Sequence, residues 1–255
     1  MPSRKAAHHA SPASEEPPKG ARRSGTDEET FAPVKLTRHT LNDQVYDGLK
    51  EAVMSGSLYP GKVLTIRELA TSFGVSVMPV REALSRLIAE KAVVFRPNRS
   101  VAVPVLTPDR FRQITKIRLL LENMAVREGA PHLGESDIAR LDRINAKLEA
   151  IGPSERKTFL ELNRQFHFTV YAASGQDYLI GMIESLWLQI GPLLNFILQG
   201  LSSSGPTPQV YHRELVAALR KRDAEAAGRA VQADIQDAAD FIVQFLEKSQ
   251  AEGAG

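Results

Sequence analysis

Five polar residues in the second half of the chain fall on helical faces that are otherwise apolar. Asn163 and His167 are four residues apart and therefore share one such face. His212, Asp234 and Arg118 each interrupt or border a further apolar helical stripe. Because a buried charge is costly unless it is paired or coordinated, we expect these side chains to meet in one polar cavity.

Imidazole and oxygen ligands contributed by facing helices are the means by which helical bundles build metal sites. Two histidines and a carboxylate suit a borderline divalent ion. Two simpler interpretations stay open: the histidines are hydrogen-bonded core residues, or Arg118 forms a buried ion pair with Asp234 or Glu122.

A second group of residues with chemical potential lies in TIRELATSFGVSVMPVREALSRL, residues 65–87. The pattern is two short amphipathic helices joined at Gly74, with serine and arginines on the second helix. The second helix of a helix-turn-helix enters the major groove of DNA, which is wide enough to admit it and displays a distinct pattern for each base pair. The residues that we expect to contact DNA are Arg67, Ser76, Val77, Arg81, Arg86, Arg96, Asn98 and Arg99. The alternative is that the arginines are ordinary surface residues, some of them paired with Glu68 or Glu82.

Periodicity and capping signals predict the elements that position both groups. In the first half, helices at about 41–54, 66–73 and 76–90 precede a hairpin with the tip PNRS, and LYPGKVL is interpreted as a turn. In the second half we predict only helices, at 108–129, 136–150, 154–173, 176–199 with a disturbance at Gly191-Pro192, 208–221 and 223–247. The predicted fold is mainly α: a disordered tail at 1–35, a winged helix-turn-helix at 36–105 and an all-α bundle for effector binding and dimerisation at 106–250.

Composition limits the classes of function. The chain has no cysteine, which excludes disulfides and thiolate metal sites. Its net charge is +2, and residues 36–105 hold nine Lys and Arg against six Asp and Glu, a modest bias toward a polyanionic partner. The start has no apolar run typical of a signal peptide, and the most hydrophobic stretch is interrupted by Glu184, Gln189 and Asn195. We expect a cytoplasmic protein without a membrane partner, and we find no glycine loop for a nucleotide.

Residues 37–105 resemble the DNA-binding domain of the GntR family of bacterial transcription regulators. The resemblance lies in LNDQVYDGLKEAVMSGSLYPGKVL and the following TIRELATSFGVSVMPVREALSRLIAEKAVVFRPNRSVAV. It implies binding to a double-stranded DNA operator as a dimer, with Arg67 and Arg81 at positions that match DNA contacts in the family. Three positions depart from the pattern. Val77 stands where the family often has an arginine, which suggests apolar contact with a thymine methyl group, and Ser100 and Lys91 stand where glycines are usual.

Residues 108–247 resemble the ligand-binding domain of the FadR subgroup, the FCD domain. The matching segments are IRLLLENMAVREGA, ELNRQFHFTVYAASGQDYLIGMIESLW and YHRELVAALRKRDAEAAGRAVQADIQ. Many members hold a divalent metal through an aspartate and three histidines, and the resemblance carries these ligands onto Asn163, His167, His212 and Asp234. An amide oxygen is a weaker ligand than a carboxylate, and the loss of an imidazole favours harder ions, so we expect an ion of the zinc, nickel or manganese type. The family's effectors are commonly small carboxylates, which the guanidinium fork of Arg118 suits.

Together these features predict a metabolite-responsive transcription regulator that is not an enzyme. We expect a homodimer that binds an inverted-repeat operator, represses transcription and is released by a small carboxylate, with no organic cofactor. Two alternatives stay open at this point. One is a metal-dependent enzyme built on the bundle, and the other is a metal-free regulator with a larger acyl ligand.

Overall fold

We analysed a computed structural model of the chain, which describes residues 40–97, 100–152, 154–194, 196 and 208–253. The predicted tail at 1–35 lies outside these ranges, as do Asn98 and Arg99. The described residues belong to one compact unit. Within them, no helix combines the length and the apolar character that crossing a membrane requires.

The first part of the structure is a winged helix-turn-helix. Its elements are α1 Leu41–Met54, β1 Val63–Thr65, α2 Ile66–Phe73, α3 Val77–Ala89, β2 Val94–Arg96 and β3 Ser100–Ala102. Capping boxes start α1 at Thr40 and α2 at Thr65, and Gly74 closes α2 with a φ of 64°, a left-handed conformation that glycine adopts without strain. Ser76 is the N-cap residue of α3, as predicted, but its side chain makes no capping hydrogen bond.

The wing is a three-stranded antiparallel sheet in the order β1-β3-β2. The interpretation of LYPGKVL as a turn alone was wrong, because Val63 and Leu64 belong to β1, which pairs with β3 from Val63–Ala102 to Thr65–Ser100. Ser100 and Lys91 stand where the family usually has glycine, and the structure shows how each side chain or backbone is accommodated. Ser100 donates a hydrogen bond to the carbonyl of Pro97 at 2.7 Å. Lys91 has a φ of 61°, a left-handed conformation that costs a non-glycine residue about 1 kcal/mol.

The second part is helical throughout its described residues. It consists of α4 Pro108–Gly129, a 3₁₀ turn Ala130–His132, α5 Glu135–Ala150, α6 Arg156–Ala172, α7 Asp177–Leu194, α8 Pro208–Arg220 and α9 Ala224–Gly253. The disturbance predicted at Gly191-Pro192 is absent, since α7 continues through both residues to Leu194. Helix α9 packs along α4 and α8, and α6 packs against α4 and α5. The predicted fold class, mainly α with a winged helix-turn-helix and an all-α bundle, is confirmed.

Helices α1 and α7 join the two parts. The Lys50 ammonium on α1 lies 2.9 Å from the Glu184 carboxylate on α7. Gly191 of α7 sits so close to α1 that a Cβ atom there would lie 3.2 Å from the Cα of Met54. A second ion pair joins Arg164 of α6 to Glu51 of α1 at 3.1 Å. A shift of α7 would therefore directly change its contacts with α1, the first helix of the DNA-binding part.

Candidate functional site

Three of the four predicted metal ligands meet in the bundle. His167 on α6, His212 on α8 and Asp234 on α9 form what we call the His–Asp cluster, and all three are buried. The Nε2 atoms of the histidines are 3.3 Å apart, and the Asp234 Oδ2 atom lies 3.2 Å from that of His167 and 3.9 Å from that of His212. Each residue offers one ligand atom, and these atoms lie within 4.8 Å of one another, close enough to share one ion.

Asn163 lies one turn before His167 on α6 and lines the same cavity. Its Oδ1 atom is buried and has no hydrogen-bond partner among the described residues. Buried polar atoms without a protein partner are rare in folded proteins, and such an atom commonly binds an ion or a water molecule. The amide oxygen and the His–Asp cluster therefore fit a metal ion as a set of two nitrogen and two oxygen ligands.

Hydrogen bonds on the far side of each imidazole fix its orientation. The Nδ1 atom of His212 lies 3.1 Å from the Asn145 Oδ1 atom, and the Nδ1 atom of His167 lies 3.2 Å from the Tyr171 hydroxyl, which itself donates to Glu122. With an ion bound at the two Nε2 atoms, the imidazole proton of each ring would lie on Nδ1, where it faces an acceptor. Two Nε2 lone pairs then face each other at 3.3 Å, and a cation between them relieves the repulsion.

The protonation states also suit a metal site. Burial lowers the pKa of His212, Asp234 opposes this effect and His167 adds to it; the resulting pKa is about 3, so the ring is neutral near pH 7. For Asp234, burial alone raises the pKa. In the ion-free protein, a hydrogen bond from the Nε2–H group of His167 and electrostatic interactions with His212, His167 and Arg118 outweigh that effect, so the pKa of Asp234 lies below the usual value. A neutral imidazole and an ionised carboxylate are the forms that bind metal.

Arg118 is paired within its own helix. Its Nε atom donates to the Glu122 Oε1 atom at 2.7 Å, and both side chains are buried. Of the two partners that the sequence left open, Glu122 is thus the one observed. The Tyr171 hydroxyl donates to the other oxygen of Glu122 at 2.5 Å. Arg118, Glu122, Tyr171 and His167 therefore form a continuous buried chain of hydrogen bonds that ends at the His–Asp cluster.

The cavity between Arg118 and the His–Asp cluster has a volume of about 20 Å³. Trp187 of α7 lines it, and its Nε1–H group is buried without an acceptor among the described residues. The guanidinium carbon of Arg118 lies 5.4 Å from the centre of a Trp187 ring. A buried donor without an acceptor and a guanidinium lining one cavity favour an anionic ligand with oxygen atoms.

The exposed face of α3 carries the residues predicted to contact DNA. Val80, Ala83, Leu84 and Leu87 are buried, as the helical period predicts. Arg81 points to the other side and makes no ion pair among the described residues, while Val77 and Met78 are 40% and 60% exposed. Arg67 on α2 and Arg96 on β2 are exposed as well. Asn98 and Arg99, also predicted to contact DNA, are outside the described residues.

Two polar residues of α3 are engaged by α1. The Arg86 guanidinium forms an ion pair with Asp43 at 2.9 Å and lies 3.6 Å from the centre of the Tyr46 ring. Glu82 accepts a hydrogen bond from the Asn42 amide. Arg86 is thus paired within the chain, but with Asp43 rather than with Glu68 or Glu82, and its contact with DNA stays a prediction that requires this pair to open.

Comparisons with known proteins follow the same two parts of the chain. Residues 41–103 match the model described as bacterial regulatory proteins, gntR family, and residues 113–237 match the FCD domain. The HTH-type transcriptional regulator McbR of Escherichia coli strain K12 is 33% identical over 194 residues, which cover 75% of this chain and 87% of McbR. The transcriptional repressor RspR of the same strain is 25% identical and covers 82% of this chain and 92% of its own.

A solved structure, E. coli McbR/YncC, superposes with a TM-score of 0.73 at 30% identity and covers 81% of this chain and 98% of the other. The proteins to which the chain is similar are thus regulators, which agrees with the prediction that it is not an enzyme and removes the metal-dependent enzyme as an alternative. Asn145, Glu122, Tyr171 and Trp187 were not predicted as site residues. Only Tyr171 carried a usable signal, since it lies four residues after His167 on the same helical face.

Proposed function

Because this chain belongs to the gntR family of bacterial regulatory proteins and is a DNA-binding transcriptional regulator with an FCD domain, we propose that its bundle binds a divalent metal ion together with a small carboxylate metabolite. The observation that carries the proposal is the buried His–Asp cluster, with its facing Nε2 atoms and the unpartnered amide oxygen of Asn163. The effector controls operator binding, and it does so only if its affinity differs between the DNA-competent and incompetent states.

Asn163, His167, His212 and Asp234 hold the metal, and zinc, nickel and manganese are the ions to test. A bound ion supplies positive charge beside the cavity, where it attracts a carboxylate. Arg118 and the Trp187 indole N–H then bind the carboxylate oxygens from the other side. A cavity of about 20 Å³ gives less support to a metal-free regulator with a larger acyl ligand, because even a small carboxylate requires it to widen.

The DNA-binding residues are Arg67, Arg81 and Arg96, with Val77 and Ser76 at the start of α3; Asn98 and Arg99, outside the described residues, complete the proposed set. The protein acts in the cytoplasm, where a bacterial operator is found. A predicted domain boundary at 105/106 separates these residues from the bundle, and the two family matches fall on either side of it.

A second copy of the chain is the partner that presents two recognition helices to an inverted repeat. Support comes from α4, where Ile117, Leu120 and Met124 are 48%, 71% and 45% exposed at the spacing of one helical face. Exposed apolar residues that share a face are typical of an interface rather than of a solvated surface.

The effector acts on DNA binding through α7. Trp187 lines the cavity, and Glu184 and Gly191, one turn to either side of it, contact α1. Helix α1 in turn contacts α3 through Asp43 and Tyr46. A ligand that displaces Trp187 would therefore also shift the recognition helix α3 through α1. If the shifted arrangement binds the operator poorly, the effector relieves repression.

Two experiments test the proposal. Elemental analysis of untagged protein, repeated after chelation and reloading with zinc, nickel or manganese, is expected to find one ion per chain in wild type and none in His167→Ala. A thermal-shift screen with small carboxylates is expected to find metal-dependent stabilisation that Arg118→Ala abolishes. Absence of stoichiometric metal from both purified and reloaded wild-type protein would refute the metal site.

The DNA-binding residues are tested by mobility shift against the protein's own promoter region. Arg81→Ala is expected to weaken binding at least tenfold, as the loss of one bidentate base contact does. Arg140→Ala, an exposed arginine of the bundle, is the matched control. Equal affinity of the two variants would contradict the assignment of α3 as the recognition helix.

A further inference from the structure

The first turn of α3 exposes two adjacent apolar side chains. Val77 is 40% exposed and Met78 is 60% exposed, on a helix whose buried face is already complete. At 100° per residue, Met78 lies almost opposite the buried stripe formed by Val80, Leu84 and Leu87. Packing within the chain therefore does not account for Met78, and it leaves 40% of Val77 exposed although Val77 lies three residues before Val80, at the end of the buried stripe.

The polar groups around them are largely occupied. Glu82 is engaged by Asn42, and Arg86 by Asp43 and Tyr46. The Ser85 hydroxyl donates to the carbonyl of Arg81 at 2.9 Å. Among the described residues, what this face of α3 offers to a ligand is an apolar pair and the guanidinium of Arg81.

The N-terminal turn of a recognition helix is the part that reaches base edges in the major groove. The groove floor has one apolar group, the C5-methyl of thymine, and apolar side chains are its partners, whereas arginine reads guanine through O6 and N7. Arg81 lies four residues after Val77 and three after Met78, so all three share one strip of the helix.

We propose that Val77 and Met78 read thymine methyl groups, and that these thymines lie beside the base pair contacted by Arg81. The inference rests on operator binding through α3 and adds the kind of base that this chain selects. Each half-site then combines a guanine with neighbouring A·T pairs, whose thymine methyls fill the space around the two apolar side chains.

The test uses duplexes recovered by in vitro selection from a random library with the full-length protein. In the best duplex each thymine of one half-site is replaced in turn by deoxyuridine, which removes only the methyl group. Wild-type protein is expected to lose about fourfold in affinity at one or two adjacent positions, the effect of leaving one methyl group unburied. The Val77→Ala, Met78→Ala double variant is expected to bind the thymine and deoxyuridine duplexes equally well. Val77→Arg is expected to select guanine at one of these positions in a repeated selection.

Met182→Ala, an exposed methionine of α7, serves as the control and should keep the full sensitivity to deoxyuridine. Thermal unfolding of each variant, expected to match wild type because both side chains are exposed, separates loss of base reading from loss of folding. Equal binding of wild type to every deoxyuridine duplex would overturn the proposal while leaving operator binding intact. Selection of no duplex at all would instead count against DNA binding through α3. Concentration-dependent self-association lost in the double variant would assign the apolar pair to a protein interface and also overturn the proposal.

Discussion

Tyr171→Phe removes one hydroxyl group from the chain of hydrogen bonds that leads to the proposed metal ligands. The hydroxyl faces the Nδ1 atom of His167 at 3.2 Å and donates to Glu122 at 2.5 Å. Without it, the His167 ring loses the contact that orients it, and one oxygen of Glu122 keeps only the Arg118 Nη2 atom at 3.5 Å. No metal-ligating atom is changed, so an effect on metal affinity reports orientation rather than coordination.

The expected magnitude follows from these contacts. Loss of a hydrogen bond that orients a ligating histidine typically lowers metal affinity 10- to 100-fold. Glu122 is buried, and leaving its carboxylate oxygen with only this long contact to Arg118 is expected to lower the free energy of unfolding by about 1–3 kcal/mol as well. The two effects are separable, because affinity is measured at a temperature at which both proteins are folded.

Metal affinity is measured by competition with a chromogenic chelator, and stability by urea unfolding of the chelated protein. Tyr178→Phe is the matched control, since Tyr178 is 93% exposed and should change neither quantity. Equal metal affinity of Tyr171→Phe and wild type would refute the reasoning that Tyr171 positions His167. Failure of wild type to bind metal would refute the metal site itself, which is a different result.

Three further predictions concern packing, coupling and pH. Gly129→Ala is expected to lower the free energy of unfolding by about 1–3 kcal/mol, because its Cβ would lie 2.6 Å from a backbone carbonyl of α6. The Cβ atom of Gly181→Ala would meet no atom within 4 Å, so this variant should raise the free energy of unfolding by about 0.5–1 kcal/mol. Urea titrations of both variants check this. Lys50→Ala removes the ion pair with Glu184 and is expected to change stability by less than about 1 kcal/mol while reducing the effect of the carboxylate on operator affinity, measured by mobility shift with and without ligand. In chelated protein, His212 has a pKa of about 3 when folded and about 6.5 when unfolded, so the unfolded state gains the proton first and stability falls as the pH drops below about 6.5. The decrease between pH 6.5 and 5 is expected to be about 2 kcal/mol and to be absent in His212→Asn, as unfolding at each pH would show.

Helical periodicity was sufficient to find the residues that point into the bundle. The apolar stripe of each helix faces the bundle core, so a polar residue within that stripe also points inward. The five polar residues found in this way are all buried: Asn163, His167, His212, Asp234 and Arg118. Periodicity does not say which stripes face each other, so the partners of these residues could not be predicted across helices. Asn145 on α5 is the clearest case, since nothing in its surroundings in the sequence indicates a contact with His212 67 residues later.

Local signals in the DNA-binding part had a similar limit. Thr65 and Gly74 mark the ends of α2 through their own backbone preferences, and both predictions are confirmed. Strand β1 has only three residues and exists because β3 is beside it, so a window on the sequence cannot distinguish it from a turn. The disturbance predicted at Gly191-Pro192 does not interrupt α7, which continues to Leu194 with Gly191 buried and packed closely against Met54 of α1.

The small size of the cavity has a kinetic consequence. A space of about 20 Å³ admits a water molecule or two, so the proposed metabolite would enter only while the surrounding residues move apart. Observed association rates would then level off as ligand concentration rises, at the frequency of this opening rather than of diffusional encounter. A regulator whose ligand enters this slowly would not respond to a brief rise in metabolite concentration. It would respond to a concentration that persists.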